Sequence, residues 1–383
     1  MAATALSLSA PRKVPAGAAT PSRAACSLAV LAVAALLAAV ALFVGVRFAL
    51  LIAIGLGLGM TLEGFGFGFA GPWRALIQRR EAGGVLAQIL AIALTALVAI
   101  PLIAANPGEL AGAAAPVGWA MLGGAFVFGA AMQVVLGCGS GTLVNAGSGN
   151  AVAVVALPFF AIGSFLGSWS LVWWTGLGSL PVVVLRGWGG LALTLGLLAV
   201  VTAVVLAVAA PGQRRIPGRW IKAALLVAAL AVLNLVVSGQ PWGVVYGLGL
   251  WVAKAAVAMG VDPTASAFWA APGNAGRIAD SLLTDVTSLT NIGLVVGAML
   301  VAFWRGGLAQ RLPDLPVRAW VAAVISGLLL GYSSRLAFGC NVGALFSGIS
   351  TGSLHGWAWL VFGFAGSILG VRLRPVLGME ARR

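Results

Sequence analysis

The sequence predicts an all-α polytopic membrane protein, an inverted-repeat helical bundle with re-entrant Gly/Cys segments. Three observations lead there. Of 383 residues, 61% are hydrophobic and only 8% charged, against about 25% charged in a soluble domain. Apolar runs of about 20 residues, the length of a membrane-crossing helix, recur along the chain. An unusual small-residue segment, Leu136–Asn150 (LGCGSGTLVNAGSGN), returns in the second half as Leu336–Ser353 (LAFGCNVGALFSGISTGS).

In chain order, residues 1–25 are rich in Ala, Ser and Pro and carry Arg12, Lys13 and Arg23. They read as a disordered cytoplasmic tail, with no signal-peptide stretch before Cys26. The transmembrane domain is expected over 26–371, with repeat one at about 47–210 and repeat two at about 223–371. The first span, roughly 26–46, precedes an apolar run at 48–62 that dissolves into EGFGFGFAGPWR, Glu63–Arg74. Each glycine costs a helix about 1 kcal/mol relative to alanine, so this segment is expected to be broken or re-entrant. Spans follow at about 84–105, 117–136 and 150–169, with the first cysteine segment before the last of them. The Trp-rich region Trp169–Trp188 is a candidate interfacial belt. A span at 189–210 leads to the link Pro211–Lys222, whose Arg214, Arg215, Arg219 and Lys222 mark the clearest cytoplasmic loop. The second half is expected to cross at 223–237, 244–260, 291–304, 318–336 and 354–371, with a polar stretch at Asp262–Asn291. Residues 372–383 read as a second cytoplasmic tail.

The net charge is +14, but the basic residues fall between apolar runs. The positive-inside rule accounts for them; the lipid bilayer is the expected partner and nucleic acid is not. Three cysteines and the single His355 provide no disulfide framework or multi-histidine site, so no metal and no cofactor is expected. No ATP-binding motif is present, which leaves transport passive or ion-coupled.

The halves share more than their cysteines. Pro116 and Pro316 each precede the span that leads to a cysteine segment, and each segment is followed by a further apolar span. Arg79 and Arg80 inside make 84–105 run outward and 117–136 run inward toward Cys138, whereas Arg305, Arg311 and Arg318 inside make 318–336 run outward toward Cys340, so the two segments enter from opposite faces. Both would then meet near the midplane, as in inverted-repeat transporters.

A single cysteine in an apolar span is ordinarily a small hydrophobe. Two at corresponding positions, each in backbone that cannot be a continuous helix in lipid, point to a transport path. The candidate path residues are Cys138, Gly137, Gly139, Ser140, Gly141 and Thr142, with Cys340, Gly339, Asn341 and Gly343. Glycine-rich turns expose amides to anions, and helices starting near Asn150 and Ser353 would present positive ends. Asn145, Ser350 and Thr351 add neutral hydrogen-bonding groups, and thiols add soft, polarisable ones. No lysine or arginine lies within either segment, so an anion could be held without being trapped. Arg335 and Lys254 read equally as anion-attracting or as snorkelling charges. Glu63, Arg74, Arg277, Asp280 and Asp285 read at least as well as structural ion pairs. His355 and Cys26 read as structural.

At GCGSG (137–141), GCNVG (339–343), EGFGFGFAGPWRAL (63–76) and GQPWG (239–243) the chain resembles the YeeE/YedE family of membrane proteins over roughly residues 45–371. The resemblance implies an inverted-repeat bundle in the bacterial inner membrane, and the two tails place both termini on its cytoplasmic side. It would take up a small sulfur oxyanion, thiosulfate first, through transient S–H···S contacts at Cys138 and Cys340. Transporting members carry a further cysteine near the outer entrance, which the first glycine-rich segment here lacks. Transport of a selenium or other sulfur compound stays open, as does a membrane sulfurtransferase carrying a cysteine persulfide. A non-transporting membrane subunit is a third reading. A soluble cytoplasmic sulfur-carrier protein is a candidate partner.

Overall fold

A computed structural model describes residues 21–306 and 313–380; most of the expected N-terminal tail, Arg311 and the last three residues lie outside them. Helices account for almost all of the regular structure. In chain order they are α1 (Arg23–Phe43), α2 (Val46–Phe65), α3 (Ala70–Arg79), α4 (Gly83–Ala105), α5 (Trp119–Val135) and α6 (Gly139–Gly147). Next come α7 (Ala151–Trp169), α8 (Leu171–Thr175), α9 (Gly187–Val208), α10 (Gly218–Ser238), α11 (Val245–Ala258), α12 (Ala267–Ala270) and α13 (Pro272–Ala279). Then follow α14 (Val286–Trp304), α15 (Val317–Leu336), a π-helical turn (Asn341–Phe346), α16 (Ser347–Ser350) and α17 (Leu354–Leu373). Ten spans among the described residues are long and apolar enough to cross a membrane, taking α2–α3, α5–α6 and α15–α16 each as one.

The glycine surplus has a packing cause. A Cβ on Gly163 of α7 would overlap the Leu328 carbonyl of α15, and one on Gly331 of α15 would overlap the Phe160 carbonyl of α7. The same interlock joins α5 to α17 through Gly129 and Gly366, and α2 to α14 through Gly59 and Gly297. Membrane helices gain little from apolar burial against one another, so close backbone approach over small residues supplies the attraction. These three pairs form the centre, whereas α1 buries only Val40.

The contacts are reciprocal between halves. Helix α5 packs on α17 and α15 on α7; α2 packs on α14 and α10 on α4; α6 touches α14 and α16 touches α4. Exchanging α2, α4, α5, α6 and α7 for α10, α14, α15, α16 and α17 turns each contact into another on the list.

Several boundaries differ from expectation, each for a local reason. Helix α1 begins at Arg23, inside the expected tail, because Ser22 caps it by accepting from the Ala25 N–H at 3.1 Å. Helix α14 begins at Val286 rather than 291: Asp285 accepts from the Ser288 N–H at 2.7 Å, and the polar first turns of the helix are buried against the bundle. The 244–260 run yields only the 14-residue α11, shorter than a full crossing. The expected tail from 372 is folded back at its start. Arg374 is buried, donating to the Gln133 and Val134 carbonyls at the end of α5 and, through Nε, to Glu380 at 2.7 Å.

Arg80 and Ala210, linked by a backbone bond of 3.0 Å, lie on one face of the bundle together with Gln213 and Arg215. Arg305 and Arg374 are also on this arginine-rich side. The opposite side carries exposed Trp119, Trp173 and Trp188.

Candidate functional site

The two cysteine segments have nearly the same backbone. Each is entered through a left-handed non-glycine residue two positions before the cysteine, Leu136 (φ 56°) and Phe338 (φ 55°). Such a conformation costs an ordinary side chain about 1–3 kcal/mol and persists where the surroundings enforce it. The cysteines follow with φ/ψ of −79°/−167° at Cys138 and −92°/−167° at Cys340. Each then caps the next turn: the Cys138 carbonyl accepts from Thr142 N–H and the Cys340 carbonyl from Ala344 N–H, both at 2.8 Å. Gly137 and Gly339 stand at the tightest points. A Cβ on Gly137 would lie 2.8 Å from Thr142 Oγ1, and one on Gly339 2.6 Å from Ala344 N.

The segments meet. Cys340 Sγ rests on Gly139, where an added Cβ would come within 2.7 Å of the sulfur. Cys138 is 1% and Cys340 0% exposed. Cys138 Sγ lies 3.5 Å from Ser140 Oγ and accepts from the Gly141 N–H at 3.5 Å.

A cavity approaches from either side, and no lining residue is common to both. The one on the arginine-rich side has an accessible volume of about 80 Å³; Cys138, Ser140, Gly141 and the glycine-rich break at Gly66–Pro72 line it. The opposite one, about 330 Å³, is lined by Cys340, Gly339, Gly343, the Gln240–Gly243 turn, Arg335 and Arg277. The two breaks are held by neighbouring elements. Arg305 donates to the Glu63 and Gly64 carbonyls at 3.3 and 2.6 Å, closing the end of α2. Ser347 Oγ donates to the Trp242 carbonyl at 2.7 Å, and Asn291 Nδ2 to that of Val244 at 2.8 Å.

Not every predicted residue faces a cavity. Thr142 spends its hydroxyl on the Cys138 carbonyl at 2.8 Å. Thr351 donates to the Ser347 carbonyl at 2.7 Å, accepts from Ala113 N–H at 2.9 Å and lines a separate cavity of about 400 Å³ that neither cysteine lines. Asn341 is wholly buried with no hydrogen-bond partner for either side-chain amide atom. The helix starts beside the sulfurs are those at Gly139 and Asn341. The N-terminus of α7 is closed by its own Asn150, which accepts from Ala153 N–H at 3.1 Å.

Lys254 donates to the carbonyls of Ile278 and Asp280, tying α11 to the end of α13. Arg74 pairs with Glu380 at 2.9 Å. His355 is buried with its Nδ1 2.7 Å from Ser353 Oγ, and Cys26 sits half-buried on α1. Sequence reasoning missed the left-handed Leu136 and Phe338. Their only signal was the repeated spacing of a bulky residue, a glycine and the cysteine.

The profile of the family described as "Sulphur transport" matches residues 66–369, a region that includes both breaks and both cysteines. The chain belongs to this sulphur transport family. It is 26% identical to the thiosulfate transporter TsuA of Spirochaeta thermophila over 264 residues, 64% of this chain and 74% of TsuA. Against the probable transporter YedE of Escherichia coli it is 33% identical over 104 residues, 27% of this chain and 26% of YedE. The Salmonella typhimurium YedE match has the same identity over 102 residues. The chain thus spans about a quarter of the length of the YedE relatives. Family membership and the ten apolar spans agree on a multi-pass membrane protein related to transporters.

Proposed function

We propose that this sulphur transport family member is a permease for a small sulfur oxyanion, thiosulfate first, and that the anion passes between Cys138 and Cys340. The observation that carries the reading is the pair of cavities that end from opposite sides at two touching cysteine segments. The reciprocal helix contacts support two halves of an inverted repeat, which would place such a constriction between the faces. By the positive-inside rule the arginine-rich side is cytoplasmic, in a bacterial inner membrane, with both termini on that side.

The constriction is neutral, so an anion entering it meets weak donors rather than a fixed charge. Each thiol can offer S–H to the terminal sulfur of thiosulfate, a soft acceptor, and be released by the next donor along the path. In the structure the gap is closed, and passage requires the Gly139–Cys340 contact to open. On the cytoplasmic side a soluble sulfur-carrier protein would be the natural recipient.

The test is thiosulfate-dependent growth and labelled thiosulfate uptake in an uptake-deficient sulfur auxotroph expressing wild type, Cys138→Ala or Cys340→Ala. Each substitution is expected to cut uptake at least tenfold at unchanged protein level. Full uptake by both variants would overturn the cysteine path. Failure of the wild type on thiosulfate, with rescue by another sulfur or selenium compound, would overturn the assignment of thiosulfate.

A further inference from the structure

The cavity beside Cys340 contains a charge arrangement that the constriction does not use. The Tyr246 ring has the Arg277 guanidinium carbon 4.9 Å from its centroid and that of Arg335 at 5.5 Å. Arg335 also lies 5.0 Å from the Phe268 ring, and its Nε donates to Ser168 Oγ at 2.7 Å. Among the described residues no carboxylate pairs with Arg335. The nearest neutralising group for the pair is Asp285, 4.0 Å from Arg277 and already accepting from Ser288 N–H. No acidic residue lines the cavity, and Cys340 lies within the same lining. Arg335 further lines an adjoining cavity of about 290 Å³.

Two guanidiniums on one aromatic ring repel each other. The ring quadrupole compensates each in part, and one loosely engaged carboxylate leaves a net positive charge in a space walled by apolar and aromatic groups. Such a wall focuses the field toward an incoming anion, and the guanidinium fork matches tetrahedral oxyanions. We propose that Arg335, with Arg277 in support, forms an oxyanion-capture site in this vestibule, ahead of Cys340. It recognises the charge and oxygens of a sulfur dianion rather than its terminal sulfur. This rests on the transport reading and deepens it: sulfate and thiosulfate are captured alike, and the thiols beyond then choose between them.

The experiment is equilibrium binding of sulfate and of thiosulfate to purified full-length protein in detergent, with thiosulfate uptake at varied sulfate concentration. Wild type is expected to bind both dianions within about threefold of each other, and sulfate is expected to inhibit uptake competitively. Arg335→Gln should weaken both at least tenfold, about 1.4 kcal/mol, and raise KM with kcat within about twofold. Arg335→Lys, which keeps the charge but not the fork, should recover part of the loss. Arg277→Gln, altering a half-exposed side chain, should weaken both about threefold and tests the site even if Arg335→Gln fails to fold. Wild-type sulfate affinity in either glutamine variant that folds, or a wild type that binds thiosulfate but not sulfate, overturns the proposal. Failure of the cysteine path shows separately, as uptake that survives loss of the thiols.

Discussion

Gly139→Ala puts one methyl group where the two halves touch. The added Cβ would lie 2.7 Å from Cys340 Sγ, 3.2 Å from Cys340 Cβ and 3.6 Å from Val244 Cγ1. Non-bonded heavy atoms settle at about 3.5–4.0 Å, so the segments must part by about 1 Å. Neither can do so freely, because each is pinned by its own left-handed residue and carbonyl bond. Overpacking of this kind costs about 1–3 kcal/mol, and the gain from alanine over glycine in a helix returns at most about 1 kcal/mol. Gly141→Ala is the matched control: its Cβ would meet Cys138 Sγ at 3.5 Å, an ordinary contact. Thermal unfolding in detergent should show Gly139→Ala clearly destabilised and Gly141→Ala neutral or better. Thiosulfate uptake should fall severalfold in Gly139→Ala. In the double variant Gly139→Ala/Cys340→Ala the 2.7 Å clash with the sulfur is gone and only the 3.2 Å approach of the two Cβ atoms remains, so the two effects should be non-additive by about 1 kcal/mol. Wild-type stability for Gly139→Ala, with strict additivity in the double variant, would refute the contact between halves.

Gly366→Ala drives a methyl group into the Phe126 carbonyl between α5 and α17. It should cost more than about 2 kcal/mol in the same unfolding assay, at the upper end of overpacking costs. Arg374→Gln removes the cation that closes the end of α5 and should cost about 2–4 kcal/mol, read as a lower unfolding temperature. Glu81 accepts from Arg79 Nε at 2.5 Å, and that hydrogen bond holds its pKa below the usual carboxylate value. Its contribution is therefore present above about pH 4.5 and lost as pH falls through the lowered folded value. Both side chains are more than a third exposed, and solvent screening keeps the contribution under about 1 kcal/mol. Glu81→Gln should accordingly lower stability slightly at pH 7, and by less as the pH falls through the lowered folded value.

What the sequence by itself determined was the class of molecule and where its helices break. Long apolar runs with so few charges have one stable setting, a helix in lipid, because unpaired backbone polar groups are too costly there. Glycine-rich interruptions at Gly66–Phe69 and before each cysteine were legible for the same reason: those residues cannot propagate a helix. The likeness of the two cysteine segments was legible too, since Cys138 and Cys340 each follow a glycine, Gly137 and Gly339. The tertiary structure decided which partners those positions find. That Cys340 rests on Gly139, that each glycine on α7 meets a carbonyl of α15, and that Arg374 folds back onto α5 all depend on contacts between halves distant in sequence. The first turns of α14 belong in the sequence to a polar stretch because Thr287, Ser288, Thr290 and Asn291 look hydrophilic; only packing against α10 and α11 gives them a buried place. Arg335 likewise read equally as a surface charge until folding set it beside Tyr246 and Phe268. Local pattern fixes what a segment can be, and the close packing of small-residue helices fixes what it faces.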